Sequence, residues 1–381
     1  MSTEDSQPID AKPAAGKAPQ LEDYFLKMVQ YNASDLHLKS DWAPLLRINT
    51  TIRMIRREPL PAAEVKAMVR ELLTDNQLAY LEEHGSIDLA YELPDSDRFR
   101  INIYRSRGTL SLAVRRVTRN IPAFEKLHLP PVLHKIAEEH QGLVLLSGPT
   151  GSGKSTTIAA MIEHINRSRP CHIVTIEDPI EYLYTDKKAV IHQREVGIDV
   201  ENFEAALKYL MRQDPDVVLI GEMRDRETFQ AALQASETGH LVLGTVHAST
   251  ASQTIGRILD LFPGDHRDMI RQSLSFNLRA IVCQKLLPCL SKDISRVPAV
   301  EVMLTNPSVR QLIQEKRDTE LPDIIRAHER DGMQSFTRSL LDLIQNDLID
   351  PKVGYDAAPN VEELKMQLKG ISASRTGFLG R

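Results

Sequence analysis

The apolar residues of this chain recur in two different patterns, and the change between them marks two domains. From Leu21 to Val117, short alternating segments suited to half-buried strands are mixed with segments of helical spacing. After about residue 133, fully apolar runs typical of buried parallel strands alternate with amphipathic helical stretches. The pattern predicts an α/β protein, with a smaller α+β domain followed by a larger core built on a parallel sheet.

The first domain is predicted over residues 21–117. Helical spacing covers 21 to about 32 and 62 to about 83. Alternating segments predict strands at 35–39, 45–48, 98–104 and 110–117.

The second domain is predicted over residues 133–350, after a proline-containing linker at 118–132. Its apolar strands are expected at 142–147, 172–176, 216–220 and 241–246. Residues 251 to about 350 are typical mainly of helices, so this domain is expected to end in a helical part. Residues 1–20 and 351–381 have weak or no periodicity and are expected to be flexible tails.

Composition narrows the class of protein. The 381 residues carry a formal net charge of -5, which argues against general nucleic-acid binding, because that function usually comes with a basic excess. No run of eighteen apolar residues occurs, so no direct membrane insertion is expected. The three cysteines form no C-x-x-C pair and indicate reduced thiols in a cytoplasmic protein.

A glycine-rich loop between an apolar run and a helical run carries the strongest chemical signal. It matches the phosphate-binding pattern G-x-x-x-x-G-K-[ST] without a mismatch. Its residues are Gly148, Pro149, Thr150, Gly151, Ser152, Gly153, Lys154, Ser155 and Thr156. Glycines let backbone N–H groups wrap a polyphosphate, the lysine reaches the terminal phosphates, and the serine hydroxyl after it is a ligand for Mg²⁺. The loop predicts binding of a nucleoside triphosphate such as ATP.

Titratable residues follow three of the predicted apolar strands. Glu177, Glu222 and His247 each come at or just after a strand end, where the ligands of open parallel sheets bind. Glu222 is expected to hold Mg²⁺ through water or to orient the attacking water. Glu177 is the other candidate for the general base, and the residues alone do not rank the two. His247 is expected to contact the γ-phosphate.

Seven arginines and no acid lie between residues 98 and 119. Strand alternation places Arg98, Arg100 and Arg115 on one polar face, opposite the apolar side chains of the same strands. This face is either a solvated charged surface or a source of positive charge for the γ-phosphate bound by a neighbouring subunit. For His240, which precedes the strand at 241–246, local sequence does not separate an ordinary structural histidine from a site residue.

Beyond these residues, the chain resembles a known family, the type IV pilus retraction ATPases of the PilT and PilU type, within the secretion-motor ATPases. The resemblance covers residues 21 to 349. The loop at Gly148 is similar to the family's Walker A motif. The other similar motifs are an N-terminal signature at 34–38, an Asp box at 175–181, the sequence Gln-Arg-Glu-Val-Gly at 193–197, an atypical Walker B motif at 214–225 and a His box at 237–247.

The resemblance implies a homohexameric ATPase with a PAS-like first domain and a RecA-like second domain. It implies ATP with Mg²⁺ between the domains, a pilus platform protein of the inner membrane as partner, and a cytoplasmic location at that membrane. It also assigns His240 to the His box, and Arg100 and Arg115 to the arginines near the nucleotide.

Retraction is favoured over extension. The related ATPases of pilus extension and type II secretion carry a longer N-terminal region and a tetracysteine metal module, and this sequence shows neither. Residues 308–315 resemble a retraction motif but depart from it at four positions. This leaves open whether the chain is the main motor, an accessory motor beside a second retraction ATPase, or a related secretion or DNA-uptake motor.

Overall fold

The structure is a computed structural model that describes residues 9–10, 20–48, 51–94, 96–291 and 294–370. The chain divides into two compact units: residues 1–120 with 181–183, and residues 121–180 with 184–381. The boundary after Asn120 falls inside the predicted linker. Most of the tail predicted at 1–20, and residues 371–381 of the other tail, lie outside the described residues.

The first unit is one mixed sheet covered by helices. Its strands are β1 (Ile9–Asp10), β2 (Asp35–Lys39), β3 (Leu45–Ile48), β4 (Thr51–Arg56), β5 (Ser86–Glu92), β6 (Arg98–Ser106) and β7 (Thr109–Val117). Its helices are α1 (Leu21–Gln30), α2 (Ala62–Leu72) and α3 (Asp75–His84). The strand order is β1-β4-β3-β2-β7-β6-β5, antiparallel except for β1 beside β4.

The core of this unit follows the alternation read from the sequence. Phe99, Ile101 and Ile103 of β6 are buried. Phe99 stacks on Phe25 of α1, with 4.4 Å between the ring centroids. The prediction of a single helix at 62–83 is wrong, because the structure has two helices there, α2 and α3. The Thr74 hydroxyl accepts a hydrogen bond from the Gln77 N–H and begins α3 as its N-cap.

The second unit is built on a second seven-stranded sheet. Its strands are β8 (Gly142–Ser147), β9 (His172–Glu177), β10 (Val190–Glu195), β11 (Val217–Ile220), β12 (Leu241–Val246), β13 (Leu278–Pro288) and β14 (Arg296–Leu304). Their order is β10-β9-β11-β12-β8-β13-β14, all parallel except β14. Strands β8 and β12 are buried at every position, as their continuous apolar sequence predicts.

Helices cover both faces of this sheet, and a separate hydrophobic core lies between the sheet and the helices on each face. They are α4 (Val132–Ala137), α5 (Lys154–Ser168), α6 (Phe203–Leu210), α7 (Arg226–Glu237), α8 (Ala251–Asp260), α9 (Arg267–Asn277), α10 (Pro307–Gln314), α11 (Leu321–Ala327), α12 (Phe336–Gln345), α13 (Pro351–Ala357) and α14 (Val361–Leu368). Within the described ranges, no helix is long and apolar enough to cross a membrane.

Two expectations for the second unit are corrected. The stretch from 251 to 350, predicted as mainly helical, contains the long antiparallel pair β13–β14 at the sheet edge. The predicted tail after residue 350 begins instead with α13 and α14, and Leu364 of α14 is fully buried against the main core.

Candidate active site

The glycine-rich loop connects β8 to α5, as predicted. Gly148 has a φ of +152°, and a Cβ there would lie 2.5 Å from the backbone oxygen of Gln284. Gly153 has a φ of +91° and precedes the first residue of α5. Only glycine fits both the backbone conformation and the space at Gly148. The loop therefore brings its backbone to the N-terminus of a fifteen-residue helix, a favourable place for phosphate.

Lys154 is the first residue of α5, and its side chain is directed back over the loop. Its ammonium donates hydrogen bonds to the carbonyl oxygens of Gly148, at 2.8 Å, and Pro149, at 3.1 Å. Lys154 is buried, so its charge is held beside the loop rather than in solvent. Ser155 follows within the first turn of the same helix.

The strand register brings the three predicted titratable residues to one edge of the sheet. Glu177 ends β9, and the N–H of Gly221, after β11, donates to the Ile176 carbonyl at 2.8 Å. The N–H of Gly148 donates to the carbonyl of Val246, the last residue of β12, at 3.3 Å. Adjacent strand ends therefore carry Glu177, Glu222, His247 and the glycine-rich loop in that order across the sheet.

Glu222 is held by two basic side chains. The Nε2 of His247 lies 2.9 Å from its Oε1, and the Arg224 guanidinium forms an ion pair with the same carboxylate. The hydrogen bond from Arg224 is the main cause that lowers the pKa of Glu222, against the opposing effect of burial. Glu222 is therefore an anion at neutral pH, and it links the end of β11 to the residue that follows β12.

Glu177 is a buried carboxylate in a different environment. Its Oε1 accepts a hydrogen bond from the Thr175 hydroxyl at 2.7 Å and another from the Gln193 side-chain amide at 3.2 Å. Gln193 is itself oriented by the Tyr184 N–H, which donates to its side-chain oxygen at 2.9 Å. Two donors on one oxygen fix the orientation of the carboxylate. In the sequence, Gln193 stands out only as part of a motif, and no local pattern identifies Thr175 or Arg224 as contributors.

Ser147, the last residue of β8, ties the segment after His247 to the strand that carries the loop. The Ser147 hydroxyl donates to the Ala248 carbonyl at 2.9 Å and accepts from the Ala248 N–H at 3.1 Å.

A buried carboxylate, Glu301 of β14, holds the start of α8. It accepts a hydrogen bond at 2.8 Å from the N–H of Ala251, the first residue of that helix. Burial raises the pKa of Glu301.

Two clefts adjoin the loop within the second unit. One, of about 400 Å³, lies beside Gly153 and Thr156 and is lined by Leu127 and Leu129 of the predicted linker and by Leu286 of β13. The other, of about 530 Å³, is open and is lined by Pro149, His247 and α8 residues that include Gln253 and Arg257. The predicted linker is therefore partly a wall of the candidate site, which its proline content did not indicate.

His240 does not lie with this group within one chain, and its assignment to the site stays a prediction. It precedes β12 whereas His247 follows that strand, and seven residue steps at ~3.3 Å each separate the two histidines by roughly 23 Å. Its Nδ1 lies 3.0 Å from the Ala235 carbonyl, next to the end of α7. The histidine is located at the opposite edge of the sheet from the loop.

The two predicted arginines lie in the first unit, where they are cross-strand neighbours. Arg100 of β6 pairs directly with Arg115 of β7, so both are on the same face, as strand alternation predicted. The Arg115 Nε donates to Asp35 at 2.9 Å, while its side chain stays 66% exposed. Burial alone would raise the pKa of Asp35, but hydrogen bonds from Arg115 and Ser34 lower it. A buried anion thus orients an exposed guanidinium.

Together, the loop, Lys154 and the converging carboxylates define a P-loop nucleotide-binding protein. The chain belongs to the family described as type II/IV secretion system protein, whose model matches residues 12–320. The resemblance to secretion-motor ATPases and the expected fold class are thereby confirmed.

Three similar proteins illustrate the relationship. A twitching motility protein of Neisseria gonorrhoeae is 40% identical over 329 residues, covering 85% of this chain and 88% of the relative. The type IV pilus ATPase PilU of Pseudomonas aeruginosa is 36% identical over 352 residues, 92% of each chain. The crystal structure of the pilus retraction motor PilT with bound ADP is 37% identical and has a TM-score of 0.84, covering 91% of this chain and 99% of that one.

Proposed function

We propose that this protein is an ATP-hydrolysing motor that drives type IV pilus retraction. The observation that carries the proposal is the convergence of Glu177, Glu222 and His247 on a complete phosphate-binding loop. These residues supply the phosphate-binding, metal-binding and water-orienting groups that phosphoryl transfer to water requires. Relatives named for twitching motility and pilus retraction, matched over most of their length, support the choice of process.

The loop residues hold the nucleotide. Backbone N–H groups of the loop and the Lys154 ammonium bind the phosphates, and this lysine exchanges its contacts with loop carbonyls for phosphate oxygens. The cleft beside Gly153 has a mixed lining, and the apolar surface that Leu127, Leu129 and Leu286 contribute to it suits the nucleobase.

The donors at the site fit Mg²⁺. Ser155 offers a hydroxyl and Glu222 an ionised carboxylate, and Mg²⁺ in such sites takes one or two protein oxygens with waters and phosphate. When bound, the ion neutralises charge on the β- and γ-phosphates.

Glu177 is the proposed general base. Its carboxylate is held in one orientation by Thr175 and Gln193, as a base that must align one water requires. Glu222 is less suited, because its charge is already engaged by Arg224 and His247. His247, bonded to Glu222, is placed to detect the γ-phosphate.

Arg100 and Arg115 are proposed to act on the nucleotide bound by a neighbouring subunit. Arg115 is exposed yet oriented by Asp35, as an arginine that reaches another surface requires. The open cleft beside Pro149 and His247 leaves room for such a side chain. This arrangement requires a neighbouring subunit, and a homohexameric ring on the cytoplasmic side of the inner membrane, against a pilus platform protein, is the proposed assembly.

An accessory role beside a second retraction ATPase is the alternative, favoured by the match to PilU over 92% of both chains. Deleting other retraction ATPases in the native host separates the two roles. A main motor keeps labelled pili retracting without them, whereas an accessory motor does not.

A steady-state ATPase assay tests the enzymatic core of the proposal. The purified protein is expected to hydrolyse ATP only with Mg²⁺, and Glu177→Gln is expected to bind ADP normally while losing turnover. Equal turnover by wild type and Glu177→Gln would contradict the assigned base. Equally negligible turnover by both would contradict the motor.

A further inference from the structure

A small pocket in the first unit lies outside the nucleotide site. It is enclosed by one face of α2, one face of α3 and the turn of the β6–β7 hairpin, with a volume of about 200 Å³. Its floor is apolar: Val69 and Leu81 are buried, and Leu78 and Leu110 are half-buried. We call it the α2–α3 pocket.

The rim of this pocket is basic. Lys66 and Arg70 are one turn apart on α2, and Arg105 lies at the end of β6 on the other side. All three are exposed, and in the described part of the chain no ion pair or side-chain hydrogen bond engages them. Glu82 of α3 is the one acid among the lining residues. Although the whole chain has a net charge of -5, these three cations create a positive electrostatic potential around the pocket, which attracts acidic groups.

Size and shape indicate the kind of ligand. Small-molecule sites usually measure roughly 300–1,000 Å³, which is larger than this pocket. A cavity of about 200 Å³ suits one large apolar side chain, the usual anchor of a protein interface. The apolar groups are recessed between helices rather than protruding, unlike side chains that insert into a membrane.

We propose that the α2–α3 pocket binds an acidic segment of a partner protein, with one large apolar side chain seated on Leu78 and Leu81. Acidic residues of the segment face Lys66, Arg70 and Arg105. This inference goes beyond the proposed ATPase activity and does not depend on it.

The probe for the test is a fluorescein-labelled peptide in which one phenylalanine stands between aspartates and glutamates. Fluorescence anisotropy with the full chain is expected to show saturable binding that weakens as salt rises. Replacing the phenylalanine by alanine is expected to weaken binding about tenfold, because the seated side chain is the anchor. Replacing the acids by their amides is expected to weaken it similarly.

The double variant Lys66→Glu/Arg70→Glu is expected to bind the peptide at least about tenfold more weakly, since attraction becomes repulsion. Arg107→Glu, an exposed arginine of the same hairpin that does not line the pocket, is the matched control and is expected to stay within about twofold. ATP hydrolysis should be unchanged in all of them, which keeps this test separate from that of the motor.

Three results would overturn the proposal: no saturable peptide binding, equal weakening in Arg107→Glu, or no difference between the phenylalanine and alanine peptides. Binding of the wild type, but not the double variant, to phosphatidylserine vesicles without peptide binding would assign the rim to a membrane instead. If the double variant fails to fold, Arg105→Ala with the same peptides decides the question.

Discussion

The role of Glu177 as general base is tested by removing the hydroxyl group of Thr175, which orients its carboxylate. Thr175→Val keeps a β-branched side chain in the buried strand β9 but removes the donor 2.7 Å from the Glu177 Oε1. The Gln193→Leu variant removes the second donor, at 3.2 Å. Neither change touches the glycine-rich loop.

The magnitude follows from the hydrogen bonds that are lost. A hydrogen bond to a charged group contributes about 1.5–3 kcal/mol when both groups are buried. If the carboxylate must hold this orientation in the transition state, the loss in Thr175→Val corresponds to a ~10- to 150-fold lower kcat. The longer bond from the half-buried Gln193 corresponds to the lower end, about tenfold.

Single-turnover hydrolysis at saturating ATP and Mg²⁺ measures the chemical step, and fluorescent ADP titration measures binding. We expect a lower rate with ADP affinity unchanged within about twofold, because the phosphates contact other residues. Thr228→Val, at a buried threonine of α7 outside the site, controls for the substitution itself. Unchanged rates in both Thr175→Val and Gln193→Leu would refute the role given to Glu177, as would an equal loss in Thr228→Val.

Three further substitutions test other parts of the site. Arg224→Gln removes the main cause that lowers the pKa of Glu222, so that pKa rises and the acid limb of the kcat–pH profile should move to higher pH; an unmoved limb would contradict this. Gly148→Ala places a Cβ 2.5 Å from a backbone oxygen, so ADP binding measured by titration should be lost while the fold, checked by circular dichroism, remains. Ser147→Ala removes both hydrogen bonds to Ala248 and should lower kcat about tenfold with ADP affinity retained; wild-type kcat would show that this link is not needed.

The sequence predicted the parts of the fold that depend on local pattern. Nearly continuous apolar runs predicted β8 and β12 with their observed bounds, because strands that are buried on both faces contain few polar residues. The strand-end rule then placed Glu177, Glu222 and His247 together, and the structure shows the same convergence. Alternation likewise placed Arg100 and Arg115 on one face, and the strand register adds that they are direct cross-strand neighbours.

The parts that were missed depend on tertiary contacts. Strand β13 begins at Leu278 directly after α9 ends at Asn277, with no loop between them, so the sequence pattern does not separate the strand from the helix. Helices α13 and α14 have short, weak patterns, and their stability comes from packing, as buried Leu364 shows.

The fine geometry of the site was also beyond the sequence. His240 lies seven residues before His247, and the length of the strand between them puts it at the opposite end of that strand. The contact of Gln193 with Glu177 joins residues sixteen positions apart, and it arises because β10 lies beside β9 in parallel. Such contacts follow from strand order, which the chain pattern alone does not determine.

The central claim is that the arginines of one subunit complete the nucleotide site of another, and mixing two inactive variants tests it most directly. Lys154→Ala lacks the phosphate-binding lysine but retains Arg100, whereas Arg100→Ala retains the loop. In rings assembled from equal amounts, about a quarter of the subunit boundaries would pair an intact loop with an intact arginine. The account predicts that the mixture regains ATPase activity on that order. A mixture no more active than the two variants alone would contradict it.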